Sequence, residues 1–91
     1  MINSLDIMDK ELHFKRLRYR SGHRGCKETD LVLGNFALHG MAALAPAQLA
    51  AYERLLDEDD VDIWDWLTDK QPPSSPDYIP LIAILKGYGL P

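Results

Sequence analysis

A single cysteine, Cys26, stands among the 91 residues, so no disulfide closes within the chain and a reducing compartment is the expectation. No apolar run nears the ~20 residues needed to span a bilayer, which predicts no direct membrane insertion. The first residues carry Asp6, Asp9 and Glu11. They lack both a secretory apolar core and the acid-poor character of a transit peptide, and this predicts a cytoplasmic, bacterial-type location. His13, His23 and His39 share no ligand spacing, so no metal site is expected. The chain also has no strand-like alternation of useful length, no dinucleotide-binding glycine pattern, no P-loop and no triad of nucleophile, base and orienting acid. Together these absences exclude β architectures, the familiar nucleotide-binding motifs and acyl-transfer chemistry.

What is present is an ordinary globular composition, 46% hydrophobic and 26% charged. At this length one domain over residues 1–91 is expected, with every helix contributing to a single core. The net charge of −4 hides an asymmetry. Lys15, Arg16, Arg18, Arg20, Arg24 and Lys27 crowd the first third, whereas Glu53, Asp57, Glu58, Asp59, Asp60, Asp62, Asp65 and Asp69 crowd a later stretch. Such a split field can orient a protein partner without requiring nucleic acid.

Caps and breakers divide the chain into five short helices, so the predicted fold is an all-α, five-helix bundle. Ser4 or Asp6 caps a first helix to about Tyr19, with Leu5, Met8 and Leu12 on one stripe beside Phe14 and Leu17. A second helix runs from about Lys27 to Met41 or Ala43, with Leu31, Leu38 and Ala42 on one face and Val32, Phe36 and Met41 nearby. Gly34 and Gly40 weaken it by about 1 kcal/mol each relative to alanine unless close packing offsets them. Pro46 opens a third helix to about Asp57, lined by Leu49, Tyr52 and Leu56. The acidic run from Asp57 fails as a calcium loop, because it lacks the sixth-position glycine and has Thr68 where a bidentate glutamate belongs. Asp60 instead caps a short fourth helix that Ile63 and Trp66 anchor, with Trp64 either core or docking surface. Asp77 caps the last helix, which places Pro80 in its first turn and Tyr78, Leu81, Ile82, Leu85 and Tyr88 on its apolar face.

The segment from His23 to Asp30 is the candidate functional stretch. Gly25 breaks a polar run and marks a corner. If Gly25 is the N-cap, Glu28 can reach back to it as half of a capping box. A functional account has Arg24 present its rigid five-donor fork outward, Glu28 offer an acceptor one turn away, and Gly25 let a partner approach closely. Cys26 has no catalytic partner in the sequence and reads as an incidental thiol.

These residues resemble a known family, the small FAD assembly factors of succinate dehydrogenase, often called the SdhE or flavinator family. Its Arg-Gly-x-x-Glu signature is matched by Arg24, Gly25 and Glu28, with the following acidic position matched by Asp30. The resemblance extends through Arg20-Ser21, Phe36, Tyr52, Leu55-Leu56, Asp59-Asp60, Asp62 and Trp66-Leu67, covering about residues 15–67. His23 and Cys26 depart from the pattern and inherit no role. The resemblance implies a five-helix bundle that helps attach FAD covalently to a histidine of the flavoprotein subunit of succinate dehydrogenase, and in some bacteria of fumarate reductase. It implies a noncatalytic chaperone that holds no cofactor stably itself, FAD being on the partner. The implied partner surface is Arg24, Gly25, Glu28 and Asp30, with Arg20 adjacent. An alternative is a nucleic-acid-binding or antitoxin-like regulator, motivated by the basic segment from Lys15 to Lys27, against which net acidity counts.

Overall fold

The computed structural model describes the backbone over residues 4–88 and side chains over residues 9–88. Among the described residues five α-helices follow one another: α1 (Ser4–Gly22), α2 (Lys27–His39), α3 (Pro46–Leu55), α4 (Asp60–Leu67) and α5 (Ile79–Leu85). Two 3₁₀ turns, Met41–Ala43 and Pro76–Tyr78, join α2 to α3 and lead into α5. No strand occurs among the described residues, so the fold is all-α as expected.

Local chemistry accounts for most boundaries. Pro46 opens α3 where its missing N–H costs nothing, and the Gln48 side-chain oxygen accepts the Ala45 N–H at 3.2 Å. Before α5, the cap is Ser75 rather than Asp77: its hydroxyl accepts the Asp77 N–H at 3.3 Å and starts the 3₁₀ turn. Pro80 still falls in the first turn of α5. Helix α4 begins at Asp60 with Asp59 in the extended cap position, so Asp60 is inside the helix rather than capping it. Helix α2 stops at His39, two to four residues short of the expected end, where Gly40 donates its N–H to the Phe36 carbonyl at 2.7 Å.

The expected inner face of α2 is corrected. Leu31 and Leu38 are exposed, at 56% and 68%, and Ala42 is exposed too. The buried stripe is Thr29, Val32, Leu33, Phe36 and Ala37, a continuous i, i+3, i+4, i+7, i+8 face. Apolar residues lie on both sides of this helix, and packing selects the side that brings Phe36 into the core. Its ring meets Tyr52 edge-on at 5.0 Å and Tyr88 at 5.4 Å between centroids. Gly34 also fits this rotation: a Cβ there would stand 3.5 Å from the Gly22 Cα, so α1 and α2 approach backbone to backbone. That close crossing offsets the helix-propensity cost of the glycine.

One apolar core takes Leu17 from α1, then Tyr52, Leu55 and Leu56, Ile63, Trp66 and Leu67, and finally Tyr78, Leu81, Ile82 and Leu85. Trp66 tilts against Tyr78 with centroids 5.5 Å apart, while Trp64 is only partly buried at the edge of the core. On α1, Leu12 is exposed instead of sharing the core stripe. The expected contributions of Leu5 and Met8, and the cap at Ser4 or Asp6, lie outside the described side chains.

A buried polar latch fixes the end of α1. Ser21 donates its hydroxyl hydrogen to the Leu17 carbonyl at 2.7 Å, and a carbonyl only accepts. The 2.7 Å contact between Ser21 and Tyr52 is therefore a bond from the phenol to the serine oxygen, tying α3 to α1. Burial pushes the Tyr52 phenol up to about 12, against the pull of the Arg24 and Arg20 charges. Below pH 10 the phenol is protonated in both folded and unfolded chains and the latch contributes fully. As pH rises from 10 toward 12 the unfolded chain ionises first, and about 2–3 kcal/mol of stability is lost. Tyr52→Phe is expected to cost about 1 kcal/mol at neutral pH. It should also flatten that alkaline decline, as measured by urea midpoints from pH 8 upward; an equally steep decline in the variant would contradict the latch.

Candidate functional site

The corner between α1 and α2 spans residues 23–26. Gly25 holds φ at +98°, a conformation that side chains rarely adopt, and a Cβ built on it would have nothing within 4 Å. Glycine is needed here for its backbone angle, and its outer face is open. The N-cap of α2 is Cys26, with extended angles and no side-chain cap bond, so the Gly25–Glu28 capping box does not form. Register explains this: with the cap one residue later, the third helical position is Thr29. Glu28 is exposed, and its carboxylate accepts a long bond from the Cys26 thiol at 3.5 Å.

The expectation that Arg24 turns its fork outward is overturned. Its side chain is 10% exposed and spends its guanidinium on three acceptors inside the chain. Nε donates to the Asp60 carboxylate at 2.6 Å, Nη1 to the Leu56 carbonyl at 2.6 Å, and Nη2 to the Glu58 carbonyl. These groups belong to the end of α3, the turn after it and the first residue of α4. The guanidinium thus serves carbonyls just past a helix C-terminus, where a cation is favoured, and carries a carboxylate counter-charge as well.

Around this fork the corner is closed from several sides. The Arg24 backbone N–H donates to Asp30 at 2.7 Å, so Asp30 fastens α2 back onto the corner. Thr29, fully buried, directs its single hydroxyl hydrogen between the Cys26 carbonyl at 3.2 Å and Asp60 at 3.4 Å. On the outside, the His23 ring stacks on Tyr19 at 4.1 Å, and its Nδ1 bonds the Tyr19 carbonyl at 2.8 Å, which puts a proton on Nδ1.

Of the five expected surface residues, then, Gly25, Glu28 and Arg20 are exposed, Asp30 is half-buried, and Arg24 lies beneath them. Arg20 is not free: it pairs with Asp57 at 2.8 Å across solvent-exposed side chains. Asp60 and Thr29, and the Leu56 and Glu58 carbonyls, are the members that sequence reasoning missed. The opposed charge blocks were the available signal. Arg20 pairs with Asp57 and Arg24 with Asp60, and His13 lies 2.9 Å from Glu53, so two of the six cations in the split field are spent within the chain rather than on a partner.

A family described as flavinator of succinate dehydrogenase matches residues 15–88. Similar curated proteins carry the name succinate dehydrogenase assembly factor 2, mitochondrial. The one from Mycosarcoma maydis is 43% identical over 67 residues, covering 74% of this chain and 28% of the relative. That of Dictyostelium discoideum is 40% identical over 65 residues, covering 71% and 46%. That of Kluyveromyces lactis is 46% identical over 54 residues, covering 59% and 33%. The chain therefore spans less than half the length of these relatives. No solved structure matches it. The expectation of a bacterial, cytoplasmic location is overturned here, because these relatives are named as mitochondrial proteins.

The two arginines of the corner should separate in their effect on stability. Arg24→Ala removes one partner of a largely buried, charge-assisted network and is expected to cost about 3–5 kcal/mol. Arg20→Ala breaks an exposed pair and is expected to cost less than about 1 kcal/mol. Urea unfolding at neutral pH measures both, and similar losses for the two would contradict the inward geometry.

Proposed function

The chain belongs to the flavinator of succinate dehydrogenase family, and we propose that it is a noncatalytic assembly factor promoting covalent attachment of FAD to a histidine of the flavoprotein subunit of succinate dehydrogenase. The observation that carries this reading is that the matched span, residues 15–88, contains the whole corner. There Gly25 and Glu28 stand in solvent on a frame that Arg24 secures from below.

In this reading Gly25 and Glu28 meet the flavoprotein, with Arg20 at the margin of the contact. A glycine with open space before it lets a partner's backbone come close, and Glu28 offers a carboxylate to a donor on that partner. Asp30 and Arg24 hold the corner in place and do not meet the partner through their side chains. In this reading FAD supplies the flavin that becomes bonded and stays on the flavoprotein. The chain's contribution is positional: binding orders the flavoprotein so that flavin and histidine lie in reacting geometry, which lowers the entropic part of the barrier. No chemical step is assigned to Cys26.

The nucleic-acid alternative draws no support from the geometry. Arg20 and Arg24 are each paired with a carboxylate, and a phosphate backbone following the basic segment would run beside Asp57 and Glu53.

Gly25→Arg places a long cation in the open space before the corner and forces a side chain onto a positive φ, a strain of about 1–3 kcal/mol. The helical circular dichroism spectrum should be retained while covalent flavin on the flavoprotein subunit, read as fluorescence in a denaturing gel, is lost. Undiminished fluorescence would overturn the site.

A further inference from the structure

Asp60 lies 36 residues from Arg24 in sequence, on a different helix, and outside the Arg-Gly-x-x-Glu pattern. Yet its Oδ1 receives two of the groups that define the corner: Arg24 Nε at 2.6 Å and the Thr29 hydroxyl at 3.4 Å. One of these residues precedes Gly25 and the other sits on the first turn of α2. A single carboxylate oxygen therefore holds both arms of the corner against the start of α4. The Leu56 and Glu58 carbonyls fix the rest of the same guanidinium, so the fork cannot swing while Asp60 is engaged.

The surrounding acids do not share this geometry. Asp57 reaches out to Arg20 with a side chain that is 76% exposed, whereas the Asp60 side chain is 25% exposed. Asp59 occupies the cap position of α4 without a side-chain cap bond. Within the acidic run Asp60 is the one whose side chain bonds the residues that set where Gly25 and Glu28 point, Glu58 bonding Arg24 through its backbone carbonyl.

We propose that Asp60 is a positioning residue for flavoprotein recognition: acting through Arg24 and Thr29, it sets the angle at which Gly25 and Glu28 are offered, without itself touching the partner. The functional motif is on this view a device of five residues in which Asp60 at the start of α4 is as necessary as the glycine corner. The proposal rests on the reading that the corner meets the flavoprotein.

The test uses the full chain and the FAD-loaded flavoprotein subunit, with the dissociation constant measured by calorimetry alongside amide spectra of the corner. Asp60→Asn keeps the shape of the side chain but removes the charge facing Arg24. Asp57→Asn makes the same change in net charge three residues earlier, in the turn before α4, and serves as the control. Expected is at least a tenfold weakening for Asp60→Asn, with displaced Gly25 and Cys26 amide signals, and less than twofold weakening for Asp57→Asn with those signals unmoved. Asp60→Glu, which restores a carboxylate, should recover part of the affinity, an outcome that general destabilisation would not produce. If Asp60→Asn unfolds at the working temperature, the comparison is made between Asp60→Glu and the parent chain, where the amide displacement and the loss of affinity must still move together. Unchanged affinity despite displaced amides would overturn the proposal, and so would lost affinity with unmoved amides, which means direct contact by Asp60. Failure of the unsubstituted chain to bind the flavoprotein would overturn the functional reading itself and is seen before any variant is examined.

Discussion

Everything near the corner depends on where one guanidinium goes. Arg24 leaves the end of α1, passes under the glycine turn and ends among the carbonyls and carboxylate that join α3 to α4. A charged group taken this far from water is tolerable only because its donors meet acceptors at hydrogen-bond distance and a carboxylate balances its charge. The arrangement converts two chain segments distant in sequence, the corner and the stretch from Leu56 to Asp60, into one rigid element. It also explains why so small a domain, with little core to hold any single loop, can present a defined turn to solvent.

The latch between Ser21 and Tyr52 works alongside it. Tyr52 approaches from α3 on the core side, Arg24 reaches α3 and α4 beneath the turn, and the Gly22–Gly34 crossing sets the separation of α1 and α2. Each interaction constrains a different degree of freedom: the end of α1, the path of the turn, and the spacing of the helices entering and leaving it. Gly25 and Glu28 remain on the outside while Arg24, Thr29 and Asp30 beside them turn toward the chain. The contact surface is, on this account, what is left exposed once the frame is complete.

Much of this was legible in the residues. Proline and glycine punctuation separated the helices except at the α3–α4 break, which the acidic run from Asp57 marked, and Ile63, Trp66 and the Tyr78 to Leu85 face packed as their spacing indicated. The rotation of α2 was not legible, because Leu31 and Leu38 offer as good a stripe by hydropathy as Phe36 and Ala37, and only the presence of Tyr52, Tyr88 and the glycine crossing decides between them. The direction of Arg24 was hidden for a different reason. Two of its three acceptors are backbone carbonyls, and a carbonyl leaves no trace in residue type. Asp60 misled because an aspartate at a helix start suits a cap, and sequence alone does not distinguish a side chain folded onto its own helix from one reaching a neighbour. The opposed blocks of charge pointed outward by composition and turned out to meet each other at Arg20 and Asp57 and at Arg24 and Asp60.

The central claim is that the corner is braced from within and stays braced when a partner is bound. The Arg24 Nε–H signal, followed by nitrogen-resolved NMR in the free chain and after addition of the FAD-loaded flavoprotein, tests it most directly. A single, slowly exchanging resonance that persists in the complex while the Gly25 amide shifts is the predicted result. An Nε–H that exchanges freely with water, or that moves to a new environment on binding because the fork swings out to the partner, would contradict the account.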